Sequence, residues 1–412
     1  MSFRFLMMVI LLVSGSIPAH AESAGMSMDE AVSRALDQHP GLSAMRREVQ
    51  ATRADRQQAS YQPNPTLDVS AGLKDTDTDS GYEVGVGLAF PVERKGKREA
   101  RIAVAQGDVQ IAELALEQFK RDVERQVRTK GYEYLITAAD AEVAREIAER
   151  SRAMIDLLKK RPAAGPVILL ELRVIEGSLV EFQKAAREFT AQRDMARAEL
   201  NLLLGLDADD PLVIREALEA PKMRFDSKQI EALLEKSPAF QIRLAQREKS
   251  IHEITAATLA AKPDYSVGPY LAREDAGDAE TVLGAVISVP LTWRNRNEGA
   301  IAAARSRSER ADEELKADML TARGELARLL RRYELSMEQL DAIPSALVES
   351  QHEAADLADR QYRLGAISVQ LFLDMQREFL TVQQLRHNAL LEAWRSTTEL
   401  QWLAGDNAED SL

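Results

Sequence analysis

The chain has 412 residues, a formal net charge of −13 and no cysteine. So acidic a balance argues against nucleic acid as a partner, and the missing thiols exclude disulfides, thiolate metal sites and a lipid-bearing N-terminal cysteine. Aromatic residues make up 5% and charged residues 29%, a profile that suits long, solvent-flanked helices better than one compact core.

Residues 1–21 read as a signal peptide. Arg4 precedes an apolar run from Phe5 to Val13, and Ala19-His20-Ala21 offers an A-x-A cleavage site before Glu22. The run is far shorter than the roughly 20 apolar residues of a spanning helix, and no comparable run follows. Cleavage would remove one positive charge, Arg4, and no acid.

The first half, residues 22–205, begins with Ser27 and Glu30 in the spacing of a capping box ahead of a helix. A hairpin is predicted over about 64–91. In "PTLDVSAGLK" (65–74), Leu67, Val69, Ala71 and Leu73 alternate with polar or small residues. In "YEVGVGLAF" (82–90), Tyr82, Val84, Val86, Leu88 and Phe90 do the same, and period two means a strand with one apolar face. From Lys97 to Arg161 there is no strong stop, so a helix of about 65 residues and roughly 100 Å is expected. Its apolar residues, among them Ile102, Val109, Ala112, Leu116, Phe119 and Val123, recur at three and four spacing, a coiled-coil-like stripe. Gly165, between Pro162 and Pro166, marks a turn before a return helix.

Residues 206–226, with Pro211 and Pro221, read as a linker. The second half, residues 227–405, follows the same plan. Asp226 and Gln229 offer a cap, and a hairpin with weaker alternation falls at about 263–290. A second long helix is expected from Asn297 to Arg363, kinked at Pro344. Gly365, in "QYRLGAIS", marks its turn, and residues 406–412 form an acidic tail.

The two halves are a repeat. Pro40 pairs with Pro238, Pro65 with Pro263, Pro91 with Pro290, Glu99 with Glu298, Gly165 with Gly365 and Gly205 with Gly405, at an offset that stays between 198 and 200. Landmarks that keep their order and spacing point to a duplicated unit.

The hairpins pose the main question. Their strands have the length of membrane-spanning barrel strands, about 9 to 11 residues, and Tyr82, Phe90, Tyr265 and Trp293 lie near strand ends, where an aromatic girdle would sit. Lipid would cover the apolar faces but forbids an open sheet edge. Four strands are too few to close a barrel alone, since the smallest have about eight, so the chain must oligomerise to enter a membrane; a trimer gives twelve strands.

No nucleophile–base pair, phosphate loop or cofactor motif is present, and the five histidines are scattered without metal-ligand spacing. The expectation is a protein without enzymatic activity, cofactor or resident metal.

The repeated helix–hairpin–helix plan, together with "PVERKGKREARIAVA", "VPLTWRNRNEGAIAAA" and "YRLGAIS…LD.QREFL", resembles the TolC family of outer-membrane efflux proteins over residues 27–405. The segment after the last strand is most similar to the outer-membrane component of cobalt-zinc-cadmium efflux systems. The resemblance implies a mainly α chain with two β-hairpins. Three chains would form an α-barrel of long coiled-coil-like helices in the periplasm, topped by a twelve-stranded barrel in the outer membrane of a Gram-negative cell, in contact with its lipid. It implies two partners, a periplasmic adaptor and an inner-membrane pump of the resistance-nodulation-division type. Gly165 and Gly365 match the tip turns that meet the adaptor, Asp374 matches an acid lining the tip constriction, and Tyr362 matches a tyrosine that helps hold the tip closed. A second acid found nearby in some members is replaced here by Gln370 and Leu371. For Arg363 and Ser368 two readings stand, adaptor contact or capping of the turn. Asp374 has two as well, a pore-lining ring or a solvated helix position. The function implied is passive export, of divalent heavy-metal cations first and of drugs or secreted proteins as alternatives. The rival from another class is a soluble periplasmic coiled-coil adaptor.

Overall fold

The computed structural model describes residues 25–75, 80–160, 165–223, 234–275 and 278–404. The signal peptide, the Asp226/Gln229 cap, Gly405 and the acidic tail lie outside them.

The chain opens with α1 (Met28–Gln38), whose capping box forms as expected. The Glu30 N–H donates to Ser27 Oγ at 3.1 Å, and the Ser27 N–H donates to Glu30 Oε2 at 2.8 Å. Pro40 has no N–H to continue α1, so the chain breaks at His39 and restarts as α2 (Pro40–Ser60) with proline in its first turn. The hairpin β1 (Thr66–Asp75) and β2 (Ser80–Val92) follows, then α3 (Lys97–Lys160). At 1.5 Å per residue α3 is about 95 Å long. The return helix α4 (Gly165–Leu203) packs along it.

The second half runs α5 (Pro238–Ala260), β3 (Tyr265–Asp275), β4 (Glu280–Ser288), α6 (Glu298–Ala342), α7 (Ser345–Arg363) and α8 (Val369–Ala404). The predicted second long helix is therefore two helices. Ile343 leaves helical geometry with φ −123° and ψ 70°, and Pro344 adopts an extended φ −65°, ψ 155°. Proline disfavours helical geometry in the residue before it, so the break falls at Ile343 rather than remaining a kink.

The two hairpins join into one antiparallel sheet in the order β1-β2-β3-β4. Below it, α2, α3, α5 and α6 pack side by side, and farther on α3, α4, α7 and α8 enclose an apolar core containing Met154, Ile175, Phe182, Phe372, Leu373 and Phe379. Each such fully buried large side chain contributes about 2 kcal/mol.

Residues 206–223 form an irregular strap held by aromatic side chains from three helices. Tyr134 of α3 donates to the Leu212 carbonyl at 2.7 Å, Trp394 of α8 to that of Glu219 at 2.9 Å, and Tyr333 of α6 to that of Pro221 at 3.1 Å. Backbone polar groups that no ladder pairs are thus partly met by helix side chains.

Candidate functional site: the sheet and the helical tip

The sheet has two unlike faces. Directly opposed residues of antiparallel strands share a face. Leu67 faces Leu88, Val69 faces Val86, Ala71 faces Val84 and Leu73 faces Tyr82; Val86 also faces Leu271, which faces Leu283. These residues and Phe90, Val267 and Ile287 are exposed, Leu73 at 94%. The other face carries Ser70, Lys74, Glu83, Gly85, Tyr270, Ala272 and Glu274, and in β2 and β3 it is the more enclosed one. In β2 and β3 the apolar face is therefore the outward, exposed one. The outer edges of the sheet's edge strands β1 and β4 pair with no further strand among the described residues.

The sheet meets the helices through an ion pair at its base. Lys97 Nζ donates to Asp264 Oδ2 and the Arg94 N–H donates to Asp264 Oδ1, both at 2.8 Å. Burial pushes the Asp264 carboxyl up, but these two groups outweigh it and hold it below the usual carboxylate range.

At the far end of the helices lies the tip. The α7 helix stops in a Schellman motif: the Gly365 N–H donates to the Tyr362 carbonyl and the Ala366 N–H to the Gln361 carbonyl, both at 2.9 Å. Gly365 holds φ +75°, a conformation that costs a residue with a Cβ about 1–2 kcal/mol. Ser368 then caps α8, its Oγ accepting from the Leu371 N–H at 3.2 Å, which fits the capping reading for this residue. Gly165 stands differently. It is the first residue of α4, and residues 161–164, where the sequence predicts the turn, lie outside the described residues.

Tyr362 is 3% exposed, stacks on Phe372 with centroids 5.5 Å apart, and donates to Glu171 Oε2 of α4 at 3.1 Å. Arg363 pairs with Asp359 one turn back on α7 at 2.8 Å. Asp374 is exposed, accepts from Gln370 Nε2 at 2.8 Å and lies 3.6 Å from Arg377. The structure thus gathers Tyr362, Arg363, Gly365, Ser368 and Asp374 at one end of the helix pair.

Sequence reasoning missed the groups from α4. Arg377 donates to Ser178 Oγ at 2.8 Å and to Glu181 Oε2 at 3.1 Å, so it ties the return helix of one half to that of the other and holds the carboxylate of Asp374 nearby. The Arg377–Ser178 separation of 199 residues falls within the repeat offset, which was the available signal.

Buried deeper, His387 of α8 places Nδ1 2.6 Å from Asp140 Oδ1 of α3, with Gln383 on the other ring nitrogen at 3.1 Å. Among the described residues no group of three or more histidines and acids is placed to hold a metal ion, and no helix is long and apolar enough to cross a membrane.

The family model described as "Outer membrane efflux protein" matches residues 31–206 and 230–406, one match for each half. The cobalt-zinc-cadmium resistance protein CzcC of Cupriavidus metallidurans is 24% identical over 391 residues, covering 93% of this chain and 91% of the relative. Among solved structures, CusC, described in terms of transmembrane channel formation, matches with a TM-score of 0.74 at 17% identity, covering 92% of each chain. The open state of the MtrE outer-membrane channel of Neisseria gonorrhoeae matches with the same score at 14% identity, covering 92% of this chain and 89% of that one. The chain belongs to the outer membrane efflux protein family.

Proposed function

We propose that three copies of this chain form the outer-membrane conduit of a tripartite efflux system, and that its cargo is divalent heavy-metal cations. The observation that carries the assembly is the sheet: its outward face is bare and apolar, and among the described residues neither of its outer edges is paired. Lipid covers such a face but tolerates no open edge, so neighbouring copies must supply the missing pairings. The likeness to CzcC supports the choice of cargo.

The conduit works by gated diffusion, without a catalytic step. Its closed tip is held by contacts between α4 and the α7–α8 pair, and Asp374 from three copies forms a ring that attracts cations. The periplasmic adaptor docks at the Gly365 turn and at the turn before Gly165, with Tyr362, Arg363 and Ser368 beside it. Adaptor binding favours the open tip by its higher affinity for that state, and the inner-membrane pump supplies the energy. Two experiments test this reading. Fractionation is expected to recover the mature chain as an outer-membrane trimer; a soluble periplasmic monomer would overturn the conduit. A deletion strain is expected to become sensitive to zinc, cobalt or cadmium; unchanged metal tolerance would overturn the cargo.

A further inference from the structure

Two arginines of α3 lack acceptors that their burial calls for. Nε and Nη1 of Arg121 and Nε of Arg125 are buried and meet no hydrogen-bond partner among the described residues. An unmade hydrogen bond costs most when the buried donor belongs to a charged group, so an acceptor is missing here. The acids nearby do not supply it. Glu117 stands 3.9 Å from Arg121 Nε and accepts from Lys120 at 3.0 Å, and Asp122 stands 3.7 Å from Arg125 Nη2. Arg128, about one turn farther along α3, shows the contrast: it donates to Asp29 at 2.7 Å and to Glu124 at 3.1 Å.

The same side chains stand where the chain leaves the described structure. Arg121 lines a cavity of about 90 Å³ where α3, α5, α6 and α8 meet, with Ser237, Phe240, Met319, Trp402 and Leu403 around it. The Arg125 guanidinium lies over the Trp402 ring, 5.5 Å from its centroid. Trp402 and Leu403 belong to the last turn of α8. Residues 405–412, GDNAEDSL, follow at once and carry the acids Asp406, Glu409 and Asp410 and no base.

The repeat gives this segment a counterpart. At an offset of 200, GDNAED (405–410) stands against GLDADD (205–210), with Gly205, Ala208 and Asp210 recurring as Gly405, Ala408 and Asp410. In the first half the segment folds back on the end of its own helix. Gly205 follows α4 with φ +69°, and the Leu206 N–H donates to the Asn201 carbonyl at 2.9 Å. The Asn201 amide donates to the carbonyls of Ala208 and Asp210 at 3.2 and 2.9 Å. Gln401, the counterpart of Asn201, lies beside Arg121, Arg125 and Trp402.

We propose that residues 405–412 fold back over the end of α8 and that their carboxylates bind Arg121 and Arg125, an intramolecular clasp that holds α8 against α3 and α5. Carboxylates give guanidinium groups their strong, charge-assisted hydrogen bonds. Asp406 lies four residues beyond Trp402, a span of at most about 14 Å, so it reaches across a cavity that Trp402 itself borders. The clasp is a contact within one chain and does not depend on the conduit reading.

The test uses the purified protein in detergent with engineered cysteines, since the chain has none of its own. Ala408→Cys is combined with Ala239→Cys, an exposed position of α5 at the cavity, or with Thr255→Cys, farther along α5 and about 24 Å away. The first pair is expected to form a disulfide within one chain and the second none. Replacing both Arg121 and Arg125 by Gln is expected to slow the first reaction about fivefold. Neutralising the segment (Asp406→Asn, Glu409→Gln and Asp410→Asn together) and Arg121→Gln are each expected to lower the Tm by about 2 °C, and their combination by no more than either alone. No disulfide, a rate that ignores the arginines, or additive losses of Tm overturn the clasp. Disulfides between chains also overturn it, because they give the cavity to a neighbouring copy. If the neutral segment leaves the Tm unchanged, while inorganic phosphate raises it for the wild type and not for Arg121→Gln, a free anion is the occupant and the clasp falls. None of these results touches the conduit, which fractionation tests separately.

Discussion

The phenol of Tyr362 donates to the Glu171 carboxylate at 3.1 Å and joins two helices whose residues are 191 positions apart in sequence. Tyr362 is buried against Phe372, so its ring is fixed before the hydrogen bond forms. Tyr362→Phe keeps the packing and removes only the hydroxyl. The expected loss is about 1 kcal/mol of closed-tip stability, roughly a fivefold gain in the open fraction. Single-channel recording is expected to report that gain with thermal stability nearly unchanged; equal open fractions would remove this contact from the gate.

Arg377 makes the wider connection, reaching Ser178 and Glu181 on α4 and lying beside Asp374 on its own helix. Arg377→Gln is expected to loosen the two return helices from each other and raise conductance through the tip. Asp374→Ala acts on the ring instead and is expected to relieve block by divalent cations. If conductance rises with Arg377→Gln but block is unchanged in Asp374→Ala, the carboxylate does not line the pore.

At Gly365 backbone geometry decides. A Cβ there would meet nothing within 4 Å, so space is not the constraint; φ +75° is. Gly365→Ala is expected to cost about 1 kcal/mol, Gly365→Asn less and Gly365→Val more, because asparagine tolerates the left-handed region and β-branched residues do not. Hydrogen exchange of the tip amides is expected to rise from Gly365→Asn to Gly365→Ala to Gly365→Val.

Much of this was legible in the sequence. Alternation, strict in the first hairpin and weaker in the second, located both to within a few residues, and Ser27 with Glu30 gave the first cap. What escaped were facts of tertiary register. Pro344 was readable as a disturbance, but not as one that ends a helix at Ile343 and lets a new one start at Ser345. The partners of Tyr362 and Arg377 lie on α4, and nothing local in "QYRLGAIS" names Glu171, Ser178 or Glu181. The sheet hid its neighbours for the same reason: Glu83, Glu274 and Glu280 come side by side only once the strand order and register are fixed.

The junction of sheet and helices has a predictable pH response. The Asp264 carboxyl lies below its ordinary range, so its contribution is complete above the unfolded pKa, about 4, and is lost as the pH falls through the lower folded value. Between about pH 5 and pH 3 the Tm of the wild-type protein is expected to fall more steeply than that of Asp264→Asn. At neutral pH the variant is expected to be the less stable. Parallel curves would assign the junction to packing alone.

The central claim is that the sheet is one third of a closed barrel. The chain has no native cysteine, so engineered pairs report cleanly. Within one chain β1 and β4 are three strand spacings apart, about 14 Å, well beyond the roughly 7 Å a disulfide allows between Cα atoms. Ala71→Cys on β1, combined in turn with a cysteine at each position from 281 to 287 on β4, tests whether these edges meet between copies. The closed barrel predicts oxidation to covalent dimers and trimers at positions on one face around a single register. Monomers at every position, with outer-membrane insertion intact, would contradict it.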